Sequence, residues 1–179
     1  MSTRHFALSA VGDDRPGIVA GVTGSLVRLG CNLEDTSMTV LRGRFAMVMI
    51  VAGPESLDAA AVESELRSEA ERLALAVWVQ DVAENVPGAA EGDSWTVSVH
   101  GADRPGIVHE VARTLADAGA NIIDLSTRVL AGEPQVYAML LEVLVPAGVE
   151  GAELARRLDG LAEKLGVACS MHPSDTDIL

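Results

Sequence analysis

The chain has 179 residues, of which 49% are apolar and 22% are charged, a balance typical of a folded globular protein rather than a disordered or fibrous one. Thirteen Lys and Arg residues against 26 Asp and Glu residues give a net charge of −13, which disfavours direct binding to nucleic acid or to an anionic membrane. No apolar run approaches the length of a membrane span, and the amino terminus lacks a signal-type region, so we expect a cytoplasmic protein.

The first half of the chain predicts the order strand, helix, strand, strand, helix, strand. The first helix begins just after Pro16 and stops before Gly30, which are typical start and stop signals. Alternating apolar residues mark the strands, and apolar residues at helical spacing mark both helices. The predicted bounds are 5–11, 18–29, 33–41, 44–52, 57–73 and 76–82 in chain order.

The same pattern occurs a second time. The hexapeptide DRPGIV at residues 14–19 recurs letter for letter at residues 103–108. Downstream, Phe45 is answered by Tyr137, so the second copy carries about three extra residues in the loop near residues 131–134, where insertions are tolerated. The second copy predicts strands at 94–100, 122–130, 135–145 and 167–171 and helices at 107–118 and 152–165.

The element order predicts an α+β fold with two ferredoxin-like βαββαβ domains, each an antiparallel four-stranded sheet with both helices on one face. Turn-forming residues between the copies mark a linker. The expected organisation is a first domain at 1–84, a linker at 85–93, a second domain at 94–173 and a tail at 174–179.

The strand at residues 45–51 is apolar on both of its alternating faces, and the mean hydropathy of the chain is +0.27. An open sheet would expose one of those faces to water. We therefore expect the sheets to be covered, by each other or by a second chain, and the protein to be a homo-oligomer.

The start of the first helix is a candidate anion site. The first amide N–H groups of a helix lack partners and the helix dipole is positive there, which suits an α-carboxylate. Asn32 offers an amide donor and a carbonyl acceptor for either end of an amino acid, or else occupies a turn. Asp14 and Asp103 either orient a ligand ammonium or cap the first turns of their helices.

These features, seen twice, resemble the ACT domain, the small regulatory module that senses amino acids. The resemblance rests on a strand running into residues 12–19, a helix, and then residues 30–33, and it covers nearly the whole chain. Two such domains without a catalytic or DNA-binding segment are similar to the glycine cleavage system transcriptional repressor group. The first copy is also similar to ACT units fused to formyltetrahydrofolate deformylases and to nitrogen-sensing uridylyltransferases.

The resemblance implies a small amino acid effector bound by the loop before the helix and by the start of the next strand, often from adjacent domains. It implies a regulatory protein that acts on a protein partner, either a DNA-binding regulator or a metabolic enzyme. The residues assigned to ligand binding are Gly12, Asp14, Gly17, Ile18, Val19, Asn32 and Leu33 in the first copy and Gly101, Asp103, Gly106, Ile107, Val108, Asn121 and Ile122 in the second.

Catalysis is disfavoured because the chain has no nucleophile elbow, and Ile18 and Val19 stand where a phosphate loop needs Lys and Ser or Thr. The positions equivalent to Cys31 and His109 in the other repeat copy are both Ala, which argues against a shared catalytic role. No metal and no cofactor are expected. Two alternatives stay open: a ligand-free dimerisation and docking module, and a detached regulatory unit of an amino-acid or one-carbon enzyme.

Overall fold

The computed structural model describes residues 3–83, 91–130 and 136–174, and the chain divides into two compact units. Unit 1 is Met1–Pro87 and unit 2 is Gly88–Leu179. Most of the predicted linker lies outside the described residues, and its last residue, Asp93, already belongs to a strand. Ser174, the first residue of the predicted tail, donates its backbone N–H to the carbonyl of Ser94 at 2.9 Å.

Each unit has the predicted βαββαβ order, with strands that extend one or two residues beyond most of the predicted ends. In unit 1 the elements are β1 (Thr3–Asp13), α1 (Ile18–Arg28), β2 (Asn32–Leu41), β3 (Arg44–Pro54), α2 (Ala59–Leu73) and β4 (Leu75–Val82). In unit 2 they are β5 (Asp93–Gly101), α3 (Ile107–Asp117), β6 (Asn121–Leu130), β7 (Val136–Val145), α4 (Gly151–Leu165) and β8 (Val167–Pro173).

Both sheets are four-stranded and antiparallel, in the orders β2-β3-β1-β4 and β6-β7-β5-β8. In unit 1 the two central strands are β1 and β3, which are not consecutive in the sequence. Helix α1 connects β1 to the edge strand β2, and helix α2 connects β3 to the edge strand β4. Both crossovers lie on the same face, so the ferredoxin-like prediction is confirmed.

The core of each unit lies between the sheet and its two helices. Alternate residues of the central strands point inward, since successive side chains of a strand face opposite sides. The helices contribute residues at helical spacing. The main buried side chains of unit 1 are Phe6, Leu8, Phe45, Met47, Met49, Val51, Ile18, Val22, Leu26, Val62 and Leu66. Their counterparts in unit 2 include Val97, Val99, Tyr137, Met139, Leu141, Ile107, Val111, Leu115, Leu154 and Leu158.

The opposite face of each sheet carries exposed apolar side chains. In unit 1, Val48 is 51% exposed and Trp78 is 59% exposed, and in unit 2 Leu140 is 45% exposed. The edge strand β2 is exposed along its whole length, and β6 along nearly all of it. The expectation that these faces are covered by self-association stays a prediction.

Candidate functional site

The loops before α1 and α3 have the same backbone geometry. Gly17 and Gly106 are the N-cap residues, with φ of 93° and 98°, in the left-handed region that favours glycine. No side chain caps either helix, so the interpretation of Asp14 and Asp103 as helix caps is wrong. The backbone N–H of Asp14 instead donates to the carbonyl of Gly43 at 2.8 Å. Among the residues that the structure describes, no side chain accepts from the first-turn amides of either helix, as an anion site requires.

The side chains around these amides divide into buried and exposed ones. Ile18 and Ile107 are each 2% exposed and belong to the hydrophobic cores, so only their backbone N–H groups can face a ligand. Val19 and Val108 are 43% and 38% exposed and lie on the solvent side of the first turn. Apart from the glycine itself and its two chain neighbours, no heavy atom of the described residues lies within 4 Å of the position that a Cβ would take on Gly17 or Gly106, so the space beside both N-caps is open.

Gly12 and Gly101 have a packing role. A Cβ on Gly12 would lie 2.7 Å from Cδ2 of Leu75 and 2.8 Å from the carbonyl oxygen of Ala74. A Cβ on Gly101 would lie 2.9 Å from Cγ1 of Val167. The close approach of the last strand to the first strand of each unit therefore accounts for both glycines without a ligand.

Asn32 and Asn121 are the first residues of the edge strands β2 and β6, and both are exposed. A β-bulge follows directly in each unit, because the register shifts between Leu33 and Asp35 and between Ile122 and Asp124. Bulges redirect side chains and are common beside functional sites. The same irregularity at the same repeat position marks this strand end as a specialised part of both units.

The structure does not bring the two halves of the predicted site together within one unit. Along β3, Gly12 pairs with Phe45, whereas Asn32 pairs with Ala52. Those partners are seven residues apart, which corresponds to about 23 Å along a strand. In unit 2, Gly101 pairs with Tyr137 and Asn121 with Leu144, with the same separation. The loop before the helix and the asparagine therefore lie at opposite ends of each sheet.

The two units differ in side chains that sequence reasoning did not single out. At the asparagine end of unit 1, Nε2 of His5 lies 3.4 Å from a carboxylate oxygen of Glu34, the extra residue of the bulge. The corresponding bulge residue of unit 2 is Ile123, which is 50% exposed. At the loop end, Tyr137 of unit 2 replaces Phe45 of unit 1. Comparison of the two repeat copies position by position is the signal that exposes these differences.

The remaining candidates have simpler surroundings. His109 is exposed on α3. The guanidinium of Arg104 donates to the carbonyl of Leu165 at 3.4 Å and so ties the loop before α3 to the end of α4. Both cysteines are free thiols. Burial raises the pKa of Cys31, and burial together with the charge of Asp159 raises the pKa of Cys169 to about 11, so neither has the character of an activated nucleophile.

Within residues 3–83, 91–130 and 136–174, no His, Cys, Asp and Glu side chains are grouped as a metal site would require. None of the helices in those segments combines the length and the apolar character needed to cross a membrane.

Models of the ACT domain match residues 4–80 and residues 95–155, which together cover most of both units. The chain belongs to the ACT domain family. It holds two ACT domains in tandem, and the family resemblance expected from the repeated motif is confirmed.

Two of the similar proteins cover nearly the whole chain, and a third covers less than half of it. The glycine cleavage system transcriptional repressor of Escherichia coli is 25% identical over 176 residues, which cover 96% of this chain and 92% of that protein. A crystal structure of a protein from Galdieria sulphuraria superposes with a TM-score of 0.84 at 28% identity and covers 97% of this chain and 100% of that one. A UPF0237 protein of Methanopyrus kandleri is 43% identical over 74 residues, 41% of this chain and 82% of that protein. This protein is therefore a tandem ACT protein related to the repressor.

Proposed function

We propose that this tandem ACT protein is a non-catalytic regulator that binds a small amino acid and controls a partner protein. The observation that carries the proposal is the pair of uncapped helix N-termini behind the left-handed Gly17 and Gly106. Each presents unpartnered amides to open space, and a carboxylate is the ligand group that such amides favour.

A complete site needs a second ACT unit, because the loop and Asn32 lie at opposite ends of one sheet, and we propose that a second copy of the chain supplies it. Strand β2 is an exposed edge strand, and an edge strand is a template for pairing with another strand. If β2 pairs antiparallel with β2 of a second copy, Asn32 lies beside the end of the partner's β2. This is the Leu41 end of the partner's β2, and the partner's loop before α1 lies at the same end of its sheet. One copy then supplies the carboxylate site and the other supplies the amide side chain.

Ligand binding would favour the paired arrangement over the unpaired one, because only the paired arrangement contains the complete site. Such a difference in affinity is what allows an effector to shift a conformational or assembly equilibrium. The net charge of −13 makes direct contact with DNA unfavourable, so we propose that control passes through a protein partner. The relation to the glycine cleavage system transcriptional repressor places glycine first among the effectors to test.

The test is thermal unfolding of the whole protein with each of the twenty common amino acids, glycine included. A ligand at about a hundredfold its Kd stabilises its site by about 2.7 kcal/mol, enough to raise the Tm by several degrees. We expect one amino acid to do so, and expect Asn32→Ala to reduce the rise. Gln80→Ala, an exposed polar change on β4 at the other edge of the same sheet, is the matched control. No rise with any amino acid would refute the sensor.

The apolar outer faces favour one competing function, a ligand-free docking and dimerisation module. Exposed Trp78, Val48 and Leu140 suit self-association whether or not a ligand is bound. The same experiment separates the two functions. A module of this kind self-associates without amino acids, shows no rise in Tm with any of them, and keeps its regulatory effect when Gly17 is replaced.

A further inference from the structure

Tyr137 is a feature of the loop end of unit 2 that packing alone does not explain. Its side chain is only 8% exposed and belongs to the hydrophobic core of unit 2. Its hydroxyl oxygen is shielded from solvent and has no hydrogen-bond partner within the described residues. A buried hydroxyl without a partner is costly, and nearly all buried polar groups in native structures are satisfied. The repeat shows that the fold does not need it, because unit 1 has Phe45 in the equivalent place.

Tyr137 lies at the end of the sheet that carries the loop before α3. Tyr137 pairs with Gly101, the last residue of β5, just as Phe45 pairs with Gly12. Its ring packs in the same core cluster as Ile107, the first residue of α3. Burial raises the pKa of the Tyr137 hydroxyl, and the negative charge of Asp103 raises it further.

We propose that the Tyr137 hydroxyl is a ligand-binding group of unit 2 and donates a hydrogen bond to the carboxylate of an amino acid held at the N-terminus of α3. This inference rests on the proposed function and adds that the two sites are unequal. The α3 amides and the hydroxyl bind the ligand carboxylate, and Asp103 is placed to accept from its ammonium. Unit 1 has the same amides behind Gly17 but no hydroxyl, so its site binds the same ligand more weakly.

Ligand access requires the Tyr137 hydroxyl, which is shielded from solvent, to become exposed, and the loop at residues 102–106 is the segment that we expect to shift. All five of these residues are exposed. The loop is tied to α4 by the 3.4 Å hydrogen bond from Arg104 to Leu165. Binding at unit 2 therefore couples occupancy of the site to the conformation of this loop.

The chain contains a single tyrosine, which makes a direct test possible. Protein labelled with tyrosine ¹³C at the ring carbon that bears the hydroxyl gives one NMR resonance from Tyr137. The probe is whichever of the twenty common amino acids raises the wild-type Tm most. We expect that resonance to move on saturation, and Tyr137→Phe to weaken binding by about 10- to 100-fold, as loss of a hydrogen bond to a charged group does.

Tyr137→Phe removes a hydroxyl that has no hydrogen-bond partner among the described residues and keeps the ring, so the Tm of the ligand-free variant should equal or exceed that of the wild type. A merely structural hydroxyl would give the opposite change. Phe45→Tyr is the reciprocal variant and should tighten binding at unit 1. An unmoved resonance, or unchanged affinity in Tyr137→Phe while an amino acid still stabilises the wild type, overturns this inference alone. Failure of all twenty amino acids to stabilise the wild type overturns the proposed function as well.

Discussion

Gly12→Ala and Gly17→Ala should lower the stability of unit 1 by very different amounts, although the family resemblance assigns both glycines to ligand binding. A Cβ on Gly12 would approach the carbonyl oxygen of Ala74 to 2.8 Å, and a backbone atom cannot rotate away as a side chain can. Overpacking of this kind costs about 3 kcal/mol. A Cβ on Gly17 meets nothing within 4 Å, so only the left-handed backbone is penalised, by about 1 kcal/mol.

Unit 2 repeats this comparison, since Gly101 is crowded by Val167 and Gly106 is open. Amide hydrogen exchange of the whole protein, followed by mass spectrometry, measures the opening free energy of β1 in unit 1 and of β5 in unit 2 separately. We expect Gly12→Ala to destabilise β1 more than Gly17→Ala does, and Gly101→Ala to destabilise β5 more than Gly106→Ala does. The packing role is refuted if, in either unit, alanine at the crowded glycine (Gly12 or Gly101) lowers the opening free energy no more than alanine at the open glycine (Gly17 or Gly106).

Three further changes test other parts of the structure. Val48→Lys places a charge on the apolar outer face of unit 1 and should weaken self-association in analytical ultracentrifugation while leaving the Tm of the dilute protein nearly unchanged. Asp58→Ala removes the side-chain cap of α2, a 2.7 Å hydrogen bond from the Ala61 N–H, and should cost about 1 kcal/mol in urea unfolding. The pKa of Cys169 is about 11 in the folded chain and near its ordinary value of 9.0 in the unfolded chain. Between these pH values the unfolded chain loses the thiol proton before the folded chain does, so the free energy of unfolding decreases as the pH rises from 9 towards 11. Cys169→Ala should flatten the decline in Tm over that range.

The element order was predictable because each element repeats a simple period. Phe6, Leu8 and Ala10 alternate along β1, and Ile18, Val22 and Leu26 follow the helical period of α1, so burial of one face sets both elements. The second copy supplied an independent reading of the same pattern. The strand ends were less predictable, because Thr3 and Pro54 join the ladder through backbone pairing and not through an apolar side chain.

The details of the site depended on distances that a sequence does not contain. Asp14 has the residue type of a helix cap, yet the chain reaches α1 through a left-handed glycine, and the N-cap is Gly17. The role of Gly12 depends on the approach of Leu75, which is far away in sequence. The bulge at Glu34 could not be predicted from the alternation of apolar and polar residues, because every residue of β2 is exposed. Pattern reasoning works where burial selects residue types and fails where exposure leaves them free.

The separation of Asn32 from the loop has a consequence for regulation. A site contained within one unit could bind an amino acid without changing the association of the sheets. In each sheet the two candidate halves are seven residues apart along the central strand, so an amino acid a few ångströms long cannot touch both. A ligand that contacts both halves must contact two sheets, and its binding energy then favours their association. In such an arrangement, binding of the amino acid and association of the two sheets are linked in a single equilibrium. If both units bind the ligand as proposed, the chemical differences between them, Glu34 against Ile123 and Phe45 against Tyr137, would give each unit its own affinity.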